Sequence, residues 1–304
     1  MDSKKGILAF LILTFALTWP FEVRMLVQGV SLAGPVPPYA LAVLGAVMFV
    51  PGAAALIVRK FITKEGFDDA GLGIGPARYH LVAWLLPVGL SVLACLLSVL
   101  LTPAHFDFTL SEAMKAAVQR APEKPLPSPQ ALLLSIFLSA LTIGVMINTL
   151  FAFGEEFGWR GYLLMRLLPA GRLRAMVLVG VVWGLWHAPV ILMGYNYPRH
   201  PISGVALMIG FCALFSIILS WLRLASGSVL VPAVAHASLN GPASAVRIVL
   251  RNYDTATSTL MGLVGFVVLG VFIAWLYISG RLSGQTRLSA DLGVHSYPGS
   301  NCKN

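Results

Sequence analysis

The chain has 304 residues, of which 58% are hydrophobic and 11% charged. A water-soluble domain is nearer a quarter charged, and a chain of this size cannot bury so much apolar surface in a dry core. A soluble globular protein is therefore excluded, and lipid is the solvent that fits. The net charge of +9 would point to nucleic acid in a soluble protein. Here the basic residues sit in short segments between apolar runs, where they act as topology signals and contacts for anionic headgroups. The expected partner is membrane lipid, with no nucleic acid.

A span needs about 20 mainly apolar residues at 1.5 Å each. In chain order the sequence offers eight: 7–27, 39–58, 80–101, 130–153, 174–194, 202–222, 228–250 and 259–280. The expected fold is an all-α polytopic bundle of about eight transmembrane helices, a single domain over 1–304. The first run follows Lys4 and Lys5 and has no A-x-A-like cleavage context after it, so it reads as a span rather than a removable signal. Segment 102–129 is the longest connection. Its Thr109-Leu110-Ser111-Glu112 resembles a capping box and predicts a short interfacial helix to about Arg120, before the prolines at 122, 125, 127 and 129. After the fourth run, Gly154, Gly158 and Gly161 predict a bend. Cys95, Cys212 and Cys302 fit no disulfide framework or metal clip.

With the N-terminus inside, inner segments hold 14 Lys and Arg and outer segments 7. Both termini are therefore expected in the cytoplasm, in a prokaryotic plasma membrane.

Ionisable groups inside a bilayer are costly and mark function. The densest group is Gly154-Glu155-Glu156-Phe157-Gly158-Trp159-Arg160-Gly161. Glu156 and Arg160 are i and i+4 and can pair. Glu155 points about 100° away, lacks a local cation and can face a cavity. His187 follows Trp183 by four residues in the fifth run, and His236 precedes Asn240 by four in the seventh. Pro189 and Pro232 lie in the same two runs. Counted from helix ends near Leu168, Arg174 and Ser228, Glu155 and His187 lie roughly 20 Å deep, His236 roughly 12 Å and Asn240 roughly 18 Å at 1.5 Å per residue. The matched depths predict one site within reach of the cytoplasm. Bland readings are assigned elsewhere: Glu22 and Arg24 as a surface pair, Tyr195, Tyr197 and His200 as an interfacial belt, and the tryptophans near His187 as packing or interfacial anchors.

These motifs resemble a known family. Glu155-Glu156-Phe157-Gly158-Trp159-Arg160 is similar to its E-E-x-x-x-R motif, Trp183 to His187 to its aromatic-x-x-x-His, and His236 to Asn240 to its H-x-x-x-N. Together they resemble the CPBP family of CAAX prenyl endopeptidases and bacteriocin-processing or self-immunity proteins. The resemblance implies a catalytic core over 130–250 and hydrolysis of a peptide bond in a membrane-associated protein or peptide. Glu155 and His187 would activate water, His236 and Asn240 would stabilise the oxyanion, and Glu156 and Arg160 would support them. Glu155, His187 and His236 are also the candidate ligands of an open Zn²⁺ site. The expectations are therefore no tightly bound cofactor or one divalent metal, in a glutamate- or metallo-endopeptidase. Two other classes remain open: a non-catalytic immunity or scaffolding protein of the same fold, and a proton-coupled transporter.

Overall fold

The computed structural model describes residues 3–111, 114–115, 118 and 127–282. The helix expected from Glu112 to Arg120 and the tail with Cys302 fall wholly or partly outside the described residues. The start of that segment is held by Asp107 rather than Thr109. The Asp107 carboxylate accepts the backbone N–H groups and hydroxyls of Thr109 and Ser111.

The protein is an all-α membrane bundle. Its helices are α1 (Ser3–Val27), α2 (Pro38–Val47), α3 (Val50–Ile57), α4 (Ala77–Leu101), α5 (Pro129–Ser139), α6 (Val145–Gly158), α7 (Leu164–Leu167), α8 (Arg172–Trp186), α9 (Ala188–Leu192), α10 (Pro201–Ser226), α11 (Leu230–Ser238) and α12 (Leu263–Ile278). Two-residue strands β1 (His105–Phe106) and β2 (Leu250–Arg251) pair antiparallel between the connections at one face. Large apolar side chains such as Leu8, Ile12, Leu134, Leu138, Met146, Ile202 and Val271 stand exposed, as a lipid-facing surface requires.

The count of eight continuous spans is not reproduced. Among the described residues, five helical runs are long and apolar enough to cross a membrane, Lys4–Val27, Pro38–Thr63, Ala77–Leu101, Pro129–Ala170 and Pro201–Ser226. The other three expected spans are shorter or broken. The fifth stops at Trp186 and restarts as α9, because Pro189 in its first turn has no N–H to continue the ladder. The seventh gives α11, a wide π turn over Leu239–Ala243 containing Pro242, and a short 3₁₀ turn. The eighth begins only at Leu263.

The glycines of the fourth span, expected to mark a bend, have a packing role. The chain stays helical through α5, a π segment at Ala140–Gly144, α6, a π segment at Trp159–Leu163, and α7. At Gly154 a Cβ would lie 2.8 Å from the Met48 carbonyl oxygen, and at Gly158 one would lie 2.5 Å from the Pro51 backbone carbon. Both are glycine because α6 presses backbone to backbone against the α2–α3 segment. Small residues permit this approach where lipid offers no hydrophobic drive between helices. Gly180 and Gly184 do the same for α8 against α10. α11 packs between α4 and α6, so the two motif helices α6 and α11 are neighbours.

The face where α1 begins is tied by a polar cluster in the 64–76 loop. Arg59, fully buried, pairs with Asp69 at 2.8 Å and donates to the Gly161 carbonyl. Arg166 reaches Glu65 at 2.8 Å and Asp69 at 2.5 Å. Arg223 donates to the Asp69 backbone carbonyl. The cluster fixes α3, the α6–α7 run and α10 to one loop. Burial alone would raise the Asp69 pKa, but the hydrogen bonds and charges of Arg166 and Arg59 outweigh it and hold the carboxyl below the usual carboxylate range.

Candidate functional site

Glu155 lies on α6, 2% exposed, and its Oε2 accepts the indole N–H of Trp183 on α8 at 2.8 Å. It is free of Arg160, as its angular separation from Glu156 requires. Glu156 points behind it, fully buried, and accepts from Arg160 at 2.9 Å and from His236 Nδ1 at 2.9 Å. The expected i, i+4 pair is therefore present. What links the helices is the second contact, because Glu156 joins α6 to α11 through His236.

His187 sits in the break between α8 and α9. Its backbone N–H bonds to the Gly184 carbonyl, three residues back. The imidazole Nδ1 takes the Trp183 carbonyl at 2.8 Å. A carbonyl only accepts, so Nδ1 carries the proton and Nε2 of the neutral ring holds a lone pair. For His236 the same reasoning runs through a carboxylate: Nδ1–H is committed to Glu156, which leaves Nε2 as its other functional atom. The helix break thus sets the tautomer of one imidazole and the second motif acid sets that of the other.

Trp183 is the hub that the sequence undervalued. It is 1% exposed, and Arg160 lies over its ring at 4.7 Å. Its ring meets His187 edge-on at 5.6 Å and His236 at 5.1 Å. Packing or interfacial anchoring was expected of it, yet its N–H holds the Glu155 carboxylate, which a phenylalanine at this position could not do.

Asn240 lies in the π turn after α11, exposed. It lines the same cavity as Glu155, His187 and His236, a space of about 240 Å³. Glu156 and Arg160 do not line it.

One bland reading is corrected: Glu22 is not half of a surface pair. It is 2% exposed and lines this cavity, whereas Arg24 is exposed. Residues two apart on a helix do not face each other. Among the residues read as an interfacial belt, Tyr195 lines the cavity, Tyr197 is fully buried with its hydroxyl donating to the Met261 carbonyl, and His200 bonds to Asp254 at 2.9 Å. A sequence signal for Glu22 did exist: Phe10, Thr14, Thr18, Glu22 and Met25 recur at helical spacing, and all five are buried.

The approach to the cavity also differs from expectation. Its walls outside the long helices, Tyr195, Asn196, Arg247 and Met261, belong to connections at the face where α1 ends. Depth had been counted from the opposite face. The site therefore opens away from the loop cluster of Arg59 and Asp69.

The donor set does not suit the metal considered from sequence. Among the described residues no group of three or more His, Cys, Asp or Glu side chains stands close enough to hold an ion, Glu155, His187 and His236 included.

Fold and site together define a class, a multi-pass helical membrane protein with acid and imidazole groups converging on a buried cavity. Residues 129–241 match the model of the Type II CAAX prenyl endopeptidase Rce1-like family, and this stretch holds all three motifs. A curated relative, CAAX prenyl protease 2 of Methanococcus maripaludis, is 32% identical over 93 residues, 28% of this chain and 34% of that protein. The match thus spans about a third of the relative's length. The family resemblance carried by the motifs holds over this core.

Proposed function

We propose that the protein is an intramembrane endopeptidase that hydrolyses a peptide bond in a membrane-associated protein or peptide, with its catalytic core in 130–250. The observation that carries this reading is the single cavity lined by Glu155, His187, His236 and Asn240 from three separate helical segments.

The orientations above suit a glutamate mechanism. Glu155 takes a proton from water while the water oxygen attacks the carbonyl carbon. His187 Nε2 accepts a hydrogen bond from the water's second O–H, which stays on the attacking oxygen, and so aims that oxygen. The oxyanion accepts hydrogen bonds from the Asn240 amide and from His236 Nε2–H in the doubly protonated ring. Such donors are commonly worth on the order of 10²-fold each where little water competes. The C–N bond then breaks, and Glu155 returns its proton to the leaving amine. Glu156 and Arg160 act from behind: Glu156 orients His236, and Arg160 neutralises Glu156. No step is routed through a metal, in keeping with the donor set.

The deciding experiment is mass spectrometry of membrane and secreted peptides from cells carrying wild-type protein or Glu155→Ala. Loss of a defined set of cleavage products is expected. An unchanged peptide profile, with any cellular phenotype kept, would instead favour the non-catalytic immunity or scaffolding role.

The orientation proposed from the Lys and Arg bias, both termini in the cytoplasm, makes the cavity accessible from the opposite side of the plasma membrane. In a cysteine-free background, Arg199→Cys should then react with a membrane-impermeant maleimide in intact cells, and Lys60→Cys only after lysis. The reverse pattern would invert the topology.

A further inference from the structure

Glu22 is the one acid lining the cavity that the mechanism does not use. It is brought there by construction. α1 is bonded to the end of α8 by two indoles: Trp186 donates to the Thr18 hydroxyl at 3.0 Å, and Trp19 donates to the Trp186 carbonyl at 3.2 Å. Glu22 follows Thr18 by one turn on the same buried stripe, so this clasp aims it at the cavity wall beside His187 and Trp186.

Its carboxyl is left open. Among the described residues it makes no hydrogen bond and no ion pair, and Oε2 is buried without a partner. Glu155 accepts from the Trp183 N–H and Glu156 Oε1 from Arg160 and His236, whereas no donor reaches Glu22 among the described residues, and the charge acting on it is that of Glu155. Arg247 lines the same space but makes no ion pair with it. A buried polar group without a partner costs free energy comparable to a lost hydrogen bond, and more if charged. Leu44, Val47, Met48 and Val190 give the same cavity an aliphatic part. An unpartnered acid sharing a cavity with apolar wall suits a cationic group attached to an apolar chain.

We propose that Glu22 forms a subsite that binds a cationic group of the peptide, an ammonium or guanidinium, next to the reacting centre. The inference rests on the endopeptidase reading and names its substrate class: peptides with a positive charge at one fixed position relative to the cleaved bond. The charge can come from a lysine or arginine side chain or from a free N-terminal amine.

The test uses the full-length protein in lipid nanodiscs and a set of quenched fluorescent peptides in which one position at a time is lysine or its uncharged isostere norleucine. An N-acetylated series reports side chains, and a series with a free N-terminus and no lysine reports the amine. For wild type, one position in one series should favour the cation by tenfold or more in kcat/KM, mainly through KM. In Glu22→Gln that ratio should fall to near one, and in Glu22→Asp it should be intermediate. Wild-type protein without a charge preference at any position would overturn the proposal without any variant. So would an unchanged ratio in a folded Glu22→Gln.

Binding separates this failure from failure of the enzyme reading. If no peptide is cut, fluorescence anisotropy of the same lysine and norleucine peptides is measured on wild type and Glu22→Gln. A tenfold lysine preference that Glu22→Gln removes supports the subsite alone. Equal binding of both peptides, or a preference that survives in Glu22→Gln, overturns it.

Discussion

The protein holds two dense charge clusters, and they are built differently. In the loop cluster Asp69 and Glu65 each meet a guanidinium. Asp69 is gripped by two guanidiniums, Arg166 spans two carboxylates, and backbone carbonyls of Gly161 and Asp69 accept from Arg59 and Arg223. In the cavity cluster pairing is only partial. Glu156 Oε1, Arg160 Nη1 and the Nδ1 atoms of both histidines bond to one another or to backbone, while Glu155, His187, His236 and Asn240 line the cavity; Glu156 Oε2 and Arg160 Nε and Nη2 are buried without a hydrogen-bond partner. The first cluster holds helices together, and on the proposed reading the second holds reactive groups still. That contrast separates stapling charge from chemical charge better than burial does, since Arg59 and Arg160 are equally buried.

Substitutions can break the contrast in graded fashion. Beyond Glu155, the largest expected effect is at His236. His236→Ala should lower kcat by about 10²- to 10³-fold, as loss of an oxyanion donor does. It also strands Glu156 with Arg160 alone, so thermal unfolding should be followed on the same sample. A variant with wild-type turnover would remove His236 from the chemistry.

Trp183→Phe keeps an aromatic ring but removes the pyrrole half of the indole together with its N–H. A hydrogen bond to a charged group contributes about 1.5–3 kcal/mol, so activity should drop by roughly tenfold or somewhat more, with stability changed less than by Trp183→Ala. Equal activity in Trp183→Phe and wild type would reduce Trp183 to packing.

Asp69→Asn should act on stability and barely on turnover. Arg59 then loses its short partner while buried, at a cost of roughly 2 kcal/mol, less than for a sealed pair because Asp69 is partly wet. The pH dependence has a defined sign. The folded-state pKa of Asp69 lies below its unfolded value, so its contribution is complete above the unfolded value near 4 and fades as pH falls through the folded one. Wild type should therefore lose melting temperature on acidification below about pH 4 more steeply than Asp69→Asn. Parallel curves would show that the cluster does not depend on this carboxylate.

Much of the architecture could be read along the chain, for reasons visible in particular residues. Glu156 and Arg160 pair because four residues make one helical turn, and Glu155 is turned away from Arg160 by the same geometry. The errors lie where neighbouring helices decide. The Gly154 and Gly158 pattern says only that something small is needed there; that it admits α3 depends on where Met48 and Pro51 stand. Glu22 looked peripheral by its distance from the helix end, yet α8 supplies the wall that turns that end into a cavity. Pro189 was visible within the fifth run, but the break there, with a shifted backbone bond beside which the Trp183 carbonyl meets His187, emerges only in three dimensions.

The sequence by itself determined the solvent, the helical class and the identity of the motif residues. Apolar content and i, i+4 spacing are properties of single segments, indifferent to their neighbours. The tertiary structure decided which groups share a cavity, which imidazole nitrogen is free, and at which face the cavity opens. These depend on the rotation and shift of one helix against another. Close backbone contacts at small residues such as Gly154, Gly158, Gly180 and Gly184 set that relation, and no periodicity within one helix encodes it.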